Sequence, residues 1–233
     1  MNWRDLCYAL FADGHDIVED DELLSGTAQF EGETLAVLGT TGHTAIGYAM
    51  AMRQARVVLD TVARHPGRTL VMLIDTQGQR LRRHDELLGI HRAMAHLGQA
   101  IDLARRRGHR LLGLVYDQAL SGGFITTGLL ADACHALPHA EIRVMRLPAM
   151  ARVTKLPQEL LETLSIANPV FAPGVGNYLA MGGLASVWEG DLAEAMRRSL
   201  AELSAEDRRA QDGAARGGRR LAADTVQRVL DAP

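Results

Sequence analysis

The sequence predicts an α/β fold built around a parallel sheet. Two continuous apolar runs rich in branched residues, 69–76 and 110–116, are typical of strands covered on both faces. Each run follows a segment of helical periodicity, at 48–64 and at about 85–107, and a further strand is expected at 34–41. Strand, helix, strand, helix, strand is the order of right-handed βαβ units. We therefore expect the strands at 69–76 and 110–116 to lie parallel and adjacent.

The N-terminal region is predicted to dock onto this sheet. Its first dozen residues carry an apolar stripe typical of a short helix, made of Trp3, Leu6, Leu10 and Phe11. The next ten positions are acidic, and we interpret them as a solvated linker that contains Asp13, Asp16, Glu19, Asp20, Asp21 and Glu22. Residues 27–30 and 34–41 then flank a turn at 31–33, which predicts a β-hairpin.

The second half of the chain is predicted to become helical. A helix is expected from Ser121 to Ala131, followed by short strands at 133–137 and 142–144. The later predicted elements are a helical stretch from Pro148, a helix from Pro157 to Asn168-Pro169, a loop at 173–176, an amphipathic helix from Asp191 to about Asp212, and a last helix over 221–230. We interpret residues 1–233 as a single domain, with a docking segment at 1–26 and a helical C-terminal extension at 191–233.

The composition argues against nucleic acid or a membrane as the main partner. The 25 basic and 28 acidic residues give a net charge of −3, and aromatic residues make up only 4% of the chain. No run of apolar residues is long enough to predict a membrane span. Lys155 is the single lysine, so the GxxxxGK[ST] phosphate loop is excluded.

The cysteines favour a reduced compartment. Cys7 and Cys134 are far apart and belong to no CxxC or Cys/His ligand pattern. The first residues lack the basic and apolar regions of a secretory signal. We therefore interpret the protein as cytoplasmic.

Two polar, glycine-containing turns are expected at one edge of the sheet, at 75–79 and 117–124. In open α/β sheets, ligands bind where parallel strands end. Backbone N–H groups in such turns, and at the start of the helix that the second turn opens, suit an oxyanion. The predicted backbone donors are Gly78, Gly122, Gly123 and Phe124, and the candidate polar helpers are Gln77, Gln79 and Ser121. The alternative is that these glycines only allow each strand to turn closely.

A serine hydrolase is a second interpretation of the same residues. Residues 119–123, Ala-Leu-Ser-Gly-Gly, are an AxSxG variant of the nucleophile elbow on a strand-to-helix turn. His135 and His139 follow Ser121 in the chain, and no acid–histidine pair is evident from the order of residues. The hydrolase therefore remains an alternative.

The other histidines and an arginine run give weaker signals. His84, His91 and His96 are spaced by 7 and 5 residues, which does not place ligands on one helical turn, so no metal site is predicted. His43 is a candidate for the edge of the cavity. The run at 105–107 is read either as a phosphate patch or as cations at a helix C-terminus.

Several stretches resemble a known family. They are GTTGHTAIGYAMAMRQARVVLDTVARHPGRTLVMLIDTQGQ, RRRGHRLLGLVYDQALSGGFITTGLLAD and IRVMRLPAMARV. They are similar to the carboxyltransferase half-domains of biotin-dependent carboxylases, which have the crotonase-like (ClpP/crotonase) spiral fold, and most of all to malonate decarboxylase gamma subunits. The resemblance covers about residues 27–190. DTQGQ lies where carboxyltransferases usually carry DxPG, and SGGF lies at their Gly-Gly-small turn, so Gln77 and Phe124 are departures from the pattern.

The resemblance implies a decarboxylase subunit that works only in a complex. A homologous beta subunit would hold a malonyl thioester on an acyl carrier protein, whose prosthetic group derives from coenzyme A. The turns at Gly78 and at 122–124 would hold the departing carboxylate in a second oxyanion-type pocket. The two departures argue against biotin. A purely scaffolding subunit is a further alternative, and the isolated chain is expected to form homo-oligomers through its unpaired interface.

Overall fold

The computed structural model describes residues 1–167, 174–204, 206–218 and 220–232. Within these ranges the strands are β1 Val18–Asp20, β2 Leu23–Phe30, β3 Glu33–Thr40, β4 Thr44–Ile46, β5 Leu70–Gln79, β6 Leu111–Leu120, β7 Ala133–Ala136, β8 Glu141–Arg143 and β9 Ser186–Val187. The helices are α1 Trp3–Leu10, α2 Tyr48–Arg64, α3 Arg83–Leu88, α4 Ile90–Arg106, α5 Ser121–Ile125, α6 Leu147–Thr154, α7 Gln158–Ala167, α8 Val175–Ala180, α9 Leu192–Glu202, α10 Arg209–Ala215 and α11 Arg220–Leu230.

One mixed sheet organises these elements, in the order β1-β2-β3-β5-β6-β7-β9. The prediction of parallel, adjacent central strands is confirmed, because Leu70 pairs with Leu111 and the register continues to Ile74 and Val115. β3, β5, β6, β7 and β9 run parallel, whereas β1 and β2 form an antiparallel edge. The carboxyl ends of β5 and β6 have additional hydrogen-bonding partners, because β4 pairs with β5 and β8 pairs with β6. The fold is therefore the predicted α/β arrangement with a helical C-terminal region.

Helices cover both faces of the central strands. On one face, α2 and α4 bury an apolar cluster against β3 and β5 that includes Val58, Leu97 and Met72. On the other face, Trp3 and Leu6 of α1 pack in one cluster with Met196 of α9. This two-sided burial explains the continuous apolar runs of β5 and β6. The predicted N-terminal helix thus contributes directly to the core.

Two of the predicted long helices are broken. The helix expected at 85–107 is divided into α3 and α4 at Gly89, whose φ of +83° is in the left-handed region that favours glycine. The helix expected at 121–131 ends with α5 at Ile125, and a 3₁₀ turn follows at 128–130. A Cβ on Gly128 would lie 2.5 Å from Cε2 of Phe124, so this glycine lets the chain pass close to the aromatic ring.

The predicted strand boundaries also need correction. β5 and β6 extend through residues 77–79 and 117–120, where turns were expected, because β4 and β8 supply the hydrogen-bonding partners. β2 begins at Leu23 rather than at residue 27. The acidic segment is more than a solvated linker: β1 lies within it, Glu19 accepts a hydrogen bond from Trp3, and Asp20 pairs with Arg53 at 2.6 Å.

The C-terminal predictions are partly confirmed. The amphipathic segment from Asp191 forms α9 and α10 rather than one helix, and α11 matches the last predicted helix. The loop expected at 173–176 is wrong at its end, because α8 begins at Val175. The predicted helix end at Asn168-Pro169 lies outside the described residues. Among the described helices, none is both long and apolar enough to span a membrane.

Arg105, the first residue of the arginine run 105–107, has a structural role. Arg105 is buried and its Nε lies 2.6 Å from Asp132, while Asp132 also accepts the backbone N–H of Leu111 at 2.8 Å. Arg106 pairs with Asp102 on the same helix at 2.7 Å. These contacts tie the end of α4 to the start of β6. They favour the reading of the run as cations at a helix C-terminus over a phosphate patch.

Acid should weaken the fold through His135. This residue is 3% exposed and stacks on Trp188, and burial lowers its pKa to about 4. At a pH above 6.5, the pKa of histidine in the unfolded chain, the neutral side chain contributes its full stabilisation to the fold. As the pH falls from 6.5 towards 4, the unfolded chain takes up a proton that the folded chain does not, and this contribution is lost. We expect the free energy of unfolding to fall by about 3 kcal/mol over that window. Urea unfolding of wild type and His135→Phe at pH 7.5 and 4.5 measures this change in the free energy of unfolding. An equal fall in both proteins would contradict the role of His135.

Candidate functional site

The two glycine-containing segments lie against each other at the carboxyl ends of β5 and β6. A Cβ built on Gly78 would lie 2.7 Å from the carbonyl oxygen of Leu120 and 2.8 Å from Cβ of Ser121. A Cβ on Gly123 would lie 3.0 Å from Oγ1 of Thr76 and 3.1 Å from Cα of Gly78. Glycine is therefore required at both positions for the segments to approach. A branched side chain at Gly123 would disturb the fold itself.

The backbone N–H groups of these segments differ in whether they already have a hydrogen-bond acceptor. The N–H of Gly78 donates to Oγ1 of Thr76 at 3.0 Å, and that hydroxyl in turn donates to the carbonyl of Thr44 at 2.6 Å. This N–H already has a buried acceptor. Gly122 and Gly123 lie in the first turn of α5, where N–H groups have no acceptor within the helix. Gly122 is half-buried, and a Cβ on it would lie 3.4 Å from Oε1 of Gln79.

A cleft of about 530 Å³ opens beside these glycines. Gln77, Gln79 and Ser121 line it together with apolar side chains, among them Leu81 and Val153. Leu81 is 83% exposed and Val153 is 70% exposed, which is unusual for large apolar residues that lie close together. The three predicted polar helpers thus share one cleft.

Phe124 contributes to the core instead of the cleft. Its side chain is 1% exposed and packs edge-on against Tyr178, with the ring centroids 5.9 Å apart. Only its backbone is a candidate for ligand contact. The side chain of Phe124, which differs from the small residue usual in the family motif, therefore leaves the cleft unobstructed. Gln77, which replaces the usual proline, is exposed in the cleft.

Ser121 has one feature of a nucleophile elbow. It follows β6 directly, opens α5 and has a φ of +51°, which is strained for a residue other than glycine. No hydrogen bond from a histidine to Ser121 occurs among the described residues. Nδ1 of His135 instead lies 2.9 Å from Oγ of Ser186, and His139 is exposed. The geometry of the hydrolase alternative is therefore incomplete in this chain.

A second cleft, of about 430 Å³, shares Gln77, Gln79 and Leu81 with the first and contains His43. The imidazole Nε2 of His43 lies 3.2 Å from Asp117 and 3.5 Å from Asp75. The backbone N–H of His43 donates to the other oxygen of Asp75 at 2.9 Å. His43, a candidate for the edge of the cavity, thus lies in a cleft that adjoins the first one.

Burial and two register shifts define the surroundings of Asp75. Its side chain is 4% exposed, and burial raises the pKa of its carboxyl, although the N–H and the charge of His43 oppose this effect. The β5–β6 register shifts between Ile74 and Thr76, next to Asp75, and the β4–β5 register shifts so that Gln77 is unpaired opposite β4. Such bulges redirect side chains at the rims of sheets.

His43, Asp75 and Asp117 are also the described residues whose ligand atoms lie close enough together to hold a metal ion, within 4.8 Å of one another. The grouping of His43 with Asp75 and Asp117 was not predicted from the sequence, in which His43 and the two turns are separate candidates. A signal was available, because His43 follows β3, and Asp75 and Asp117 lie at or just after the ends of the apolar runs 69–76 and 110–116 that predict β5 and β6. A separate cavity of about 390 Å³, lined by Asp132, His135 and Arg216 among others, contains none of the predicted backbone donors or polar helpers.

Comparisons with known proteins agree with this architecture. The chain is 32% identical over 149 residues to the malonyl-S-ACP:biotin-protein carboxyltransferase of Malonomonas rubra, which covers 61% of this chain and 51% of that protein. The chain thus spans about half the length of this curated relative. It superimposes on a chain of the Pseudomonas malonate decarboxylase hetero-tetramer in complex with coenzyme A with a TM-score of 0.80, at 25% identity over 97% of this chain and 96% of that chain.

More distant structures share the fold. A chain of transcarboxylase 12S matches with a TM-score of 0.72 and 20% identity, over 86% of this chain and 41% of that chain. This likeness supports the crotonase-like carboxyltransferase fold. At the level of sequence, the family model of the malonate decarboxylase gamma subunit matches residues 41–232, which is most of the chain. The chain therefore belongs to the malonate decarboxylase gamma subunit family.

Proposed function

We propose that this chain forms one half of a shared active site that decarboxylates a malonyl thioester on an acyl carrier protein, giving the acetyl thioester and CO2. One observation carries the proposal. The first turn of α5, which contains the half-buried Gly122, lies beside Gly78 and next to Ser121 of the cleft lining, and backbone donors there suit a carboxylate or oxyanion. The malonate complex of the Pseudomonas enzyme and the malonyl-S-ACP substrate of the Malonomonas rubra relative support this substrate class.

The chemistry fits a site without a strong base. When the carboxylate leaves as CO2, the electron pair of the C–C bond moves into the thioester, which becomes an enolate. The reaction therefore needs donors at the carbonyl oxygen and then one proton. Loss of one donor in other oxyanion holes costs about 3 kcal/mol of barrier. In our proposal Gly122, Gly123 and the backbone of Phe124 hold the departing carboxylate, with Gln77, Gln79 and Ser121 as polar helpers.

A homologous beta subunit would hold the thioester and its enolate. The Pseudomonas structures are a hetero-dimer and a hetero-tetramer, which supports such a pairing. The exposed apolar side chains of the cleft, and α6, which has no buried residue, give this chain a surface for it. A phosphopantetheine-like arm derived from coenzyme A would enter between the two subunits. We propose that no biotin takes part, because the exposed Gln77 occupies the place of a proline in the usual motif.

The reconstituted complex tests this proposal. This chain, the beta subunit and a carrier loaded with malonate should release CO2 and form the acetyl thioester in equal amounts. Omitting biotin should make no difference. Lack of turnover by the full complex would contradict the proposed function.

The serine hydrolase remains the second candidate, because Ser121 has a positive φ at a strand-to-helix turn. A serine-directed phosphonate separates the two. We expect no labelling of Ser121, and Ser121→Ala should reduce turnover by much less than loss of a nucleophile would. Labelling of Ser121, with turnover abolished in the alanine variant, would favour the hydrolase.

A further inference from the structure

The proposed reaction needs a proton at the methylene carbon, and the glycine segments cannot supply one. Gln77, Gln79 and Ser121 are not acids at neutral pH. Among the described residues that line the two joined clefts, His43 is the one that carries an imidazole, the side chain that most often acts as a general acid or base in enzymes. Its side chain is 47% exposed, so a proton lost to a substrate can be replaced from solvent.

The backbone and one ring nitrogen of His43 both contact Asp75. The backbone N–H of His43 donates to Asp75, and Nε2 faces both Asp75 and Asp117. The φ of His43 is +52°, a conformation that holds the residue at the turn before β4. The other ring nitrogen, Nδ1, has no hydrogen bond among the described residues. A histidine with one nitrogen oriented by a buried carboxylate and the other free has the arrangement of a general acid.

We propose that His43 donates the proton that replaces the departing carboxyl group, and that Asp75 is its positioning residue. The inference rests on the proposed function. The C–C bond breaks, CO2 leaves and the electron pair passes into the thioester enolate. The methylene carbon then takes the proton from Nδ1 of the imidazolium, the enolate becomes the acetyl thioester, and His43 becomes neutral. Solvent returns one proton per turnover.

Charges around the cleft suit this role. Asp75 and Asp117 face Nε2, and Glu22, Arg80 and Arg82 line the same cleft. The two carboxylates lie on the Nε2 side of the ring, which leaves Nδ1 for the substrate. Arg80 and Arg82 bring positive charge to the space in which we propose that the anionic substrate binds. Asp117 is 40% exposed, whereas Asp75 is almost fully buried, so Asp75 is the carboxylate better placed to orient the ring.

The first test replaces His43 with Asn in the full complex. Asn tolerates a positive φ and keeps the backbone N–H to Asp75, so the turn should persist. Loss of a general acid lowers rates by about 10²–10⁴-fold, and we expect kcat to fall by at least 10²-fold with KM nearly unchanged. His65→Gln is the matched control, because His65 is exposed at the opposite edge of the sheet, before β5. Wild-type kcat in His43→Asn would overturn the proposal.

The second test isolates the proton transfer from decarboxylation. In D2O, the wild-type complex should exchange the methyl hydrogens of the acetyl thioester for deuterium, which proton NMR follows. His43→Asn should lose this exchange. In His43→Gly, which also accepts a positive φ, added imidazole should restore at least part of it. Exchange at the wild-type rate in both variants, or failure of imidazole to restore any, would overturn the role of His43. Failure of the proposed function would appear separately, as a wild-type complex that does not turn over.

A double-mutant cycle tests Asp75. If Asp75 acts through His43, Asp75→Asn should lower kcat in the wild type but add little loss to the residual kcat of the His43→Gly background. A full additional loss in that background would instead indicate a structural role. The same residues would belong to a cation site, and the proposal would be overturned, if EDTA abolished turnover and Mn²⁺ restored it in wild type but not in Asp117→Asn.

Discussion

The isolated chain should release no measurable CO2 from a malonyl thioester, and turnover should appear when the beta subunit and the loaded carrier are added. In our proposal the described cleft is one half of the active site, with donors for a carboxylate at one end. Leu81, Val144 and Val153 line it and remain exposed, as expected of a surface that a partner covers. An obligate interface of this kind should bury more than about 2,000 Å².

A charged substitution in the cleft tests the pairing itself. Val153→Asp should prevent assembly and abolish turnover, while the free energy of unfolding of the chain changes by less than about 0.5 kcal/mol, because the side chain is exposed. Val18→Asp is the matched control, since Val18 is 59% exposed on the edge strand β1. Size-exclusion chromatography with light scattering measures assembly. Full turnover by the isolated chain would show that the site is not shared.

Gly122→Val should lower turnover of the complex by about 10²–10³-fold, as the loss of one oxyanion donor does elsewhere. The new side chain would stand beside Gln79 at the first turn of α5, where we propose that the carboxylate meets the N–H groups. The fold should persist, because a Cβ at this position makes only ordinary contacts, at 3.4 Å or more.

Valine substitutions at two other glycines serve as comparisons for Gly122→Val. Gly176→Val is the control, because nothing lies within 4 Å of a Cβ on this exposed glycine of α8. Gly123→Val should instead destabilise the protein by about 1–3 kcal/mol, since overpacking forces its neighbours apart. Thermal unfolding and turnover together distinguish these cases. A Gly122→Val complex with wild-type turnover would remove Gly122 from the proposed site.

The pairing of β5 and β6 was accessible from the sequence because it depends on local patterns. Continuous apolar runs separated by amphipathic helices leave few topologies, and the right-handed crossover rule makes the strands parallel. The location of the glycine segments at the carboxyl ends of these strands follows from the same argument. The close approach of Gly78 and Gly123 agrees with this location.

Tertiary contacts decided how those strands end. Residues 77–79 and 117–120 carry turn-like sequences, yet they continue β5 and β6 because β4 and β8 supply hydrogen-bonding partners. The placement of α3 also depends on context, because Asp85 of α3 is buried and accepts the backbone N–H of Tyr48 at the start of α2. A long-range acceptor of this kind leaves no local signal.

The sequence by itself determined the α/β class, the parallel central strands and the glycine segments at their ends, since each depends on periodicity and residue type along the chain. Only the tertiary structure decided which donors are free and which side chains meet. The Gly78 N–H is engaged because a bulge brings Thr76 beneath it, and His43 meets Asp75 and Asp117 because register shifts turn them into one space. Register shifts arise from pairing between distant segments, so the order of residues does not encode them locally.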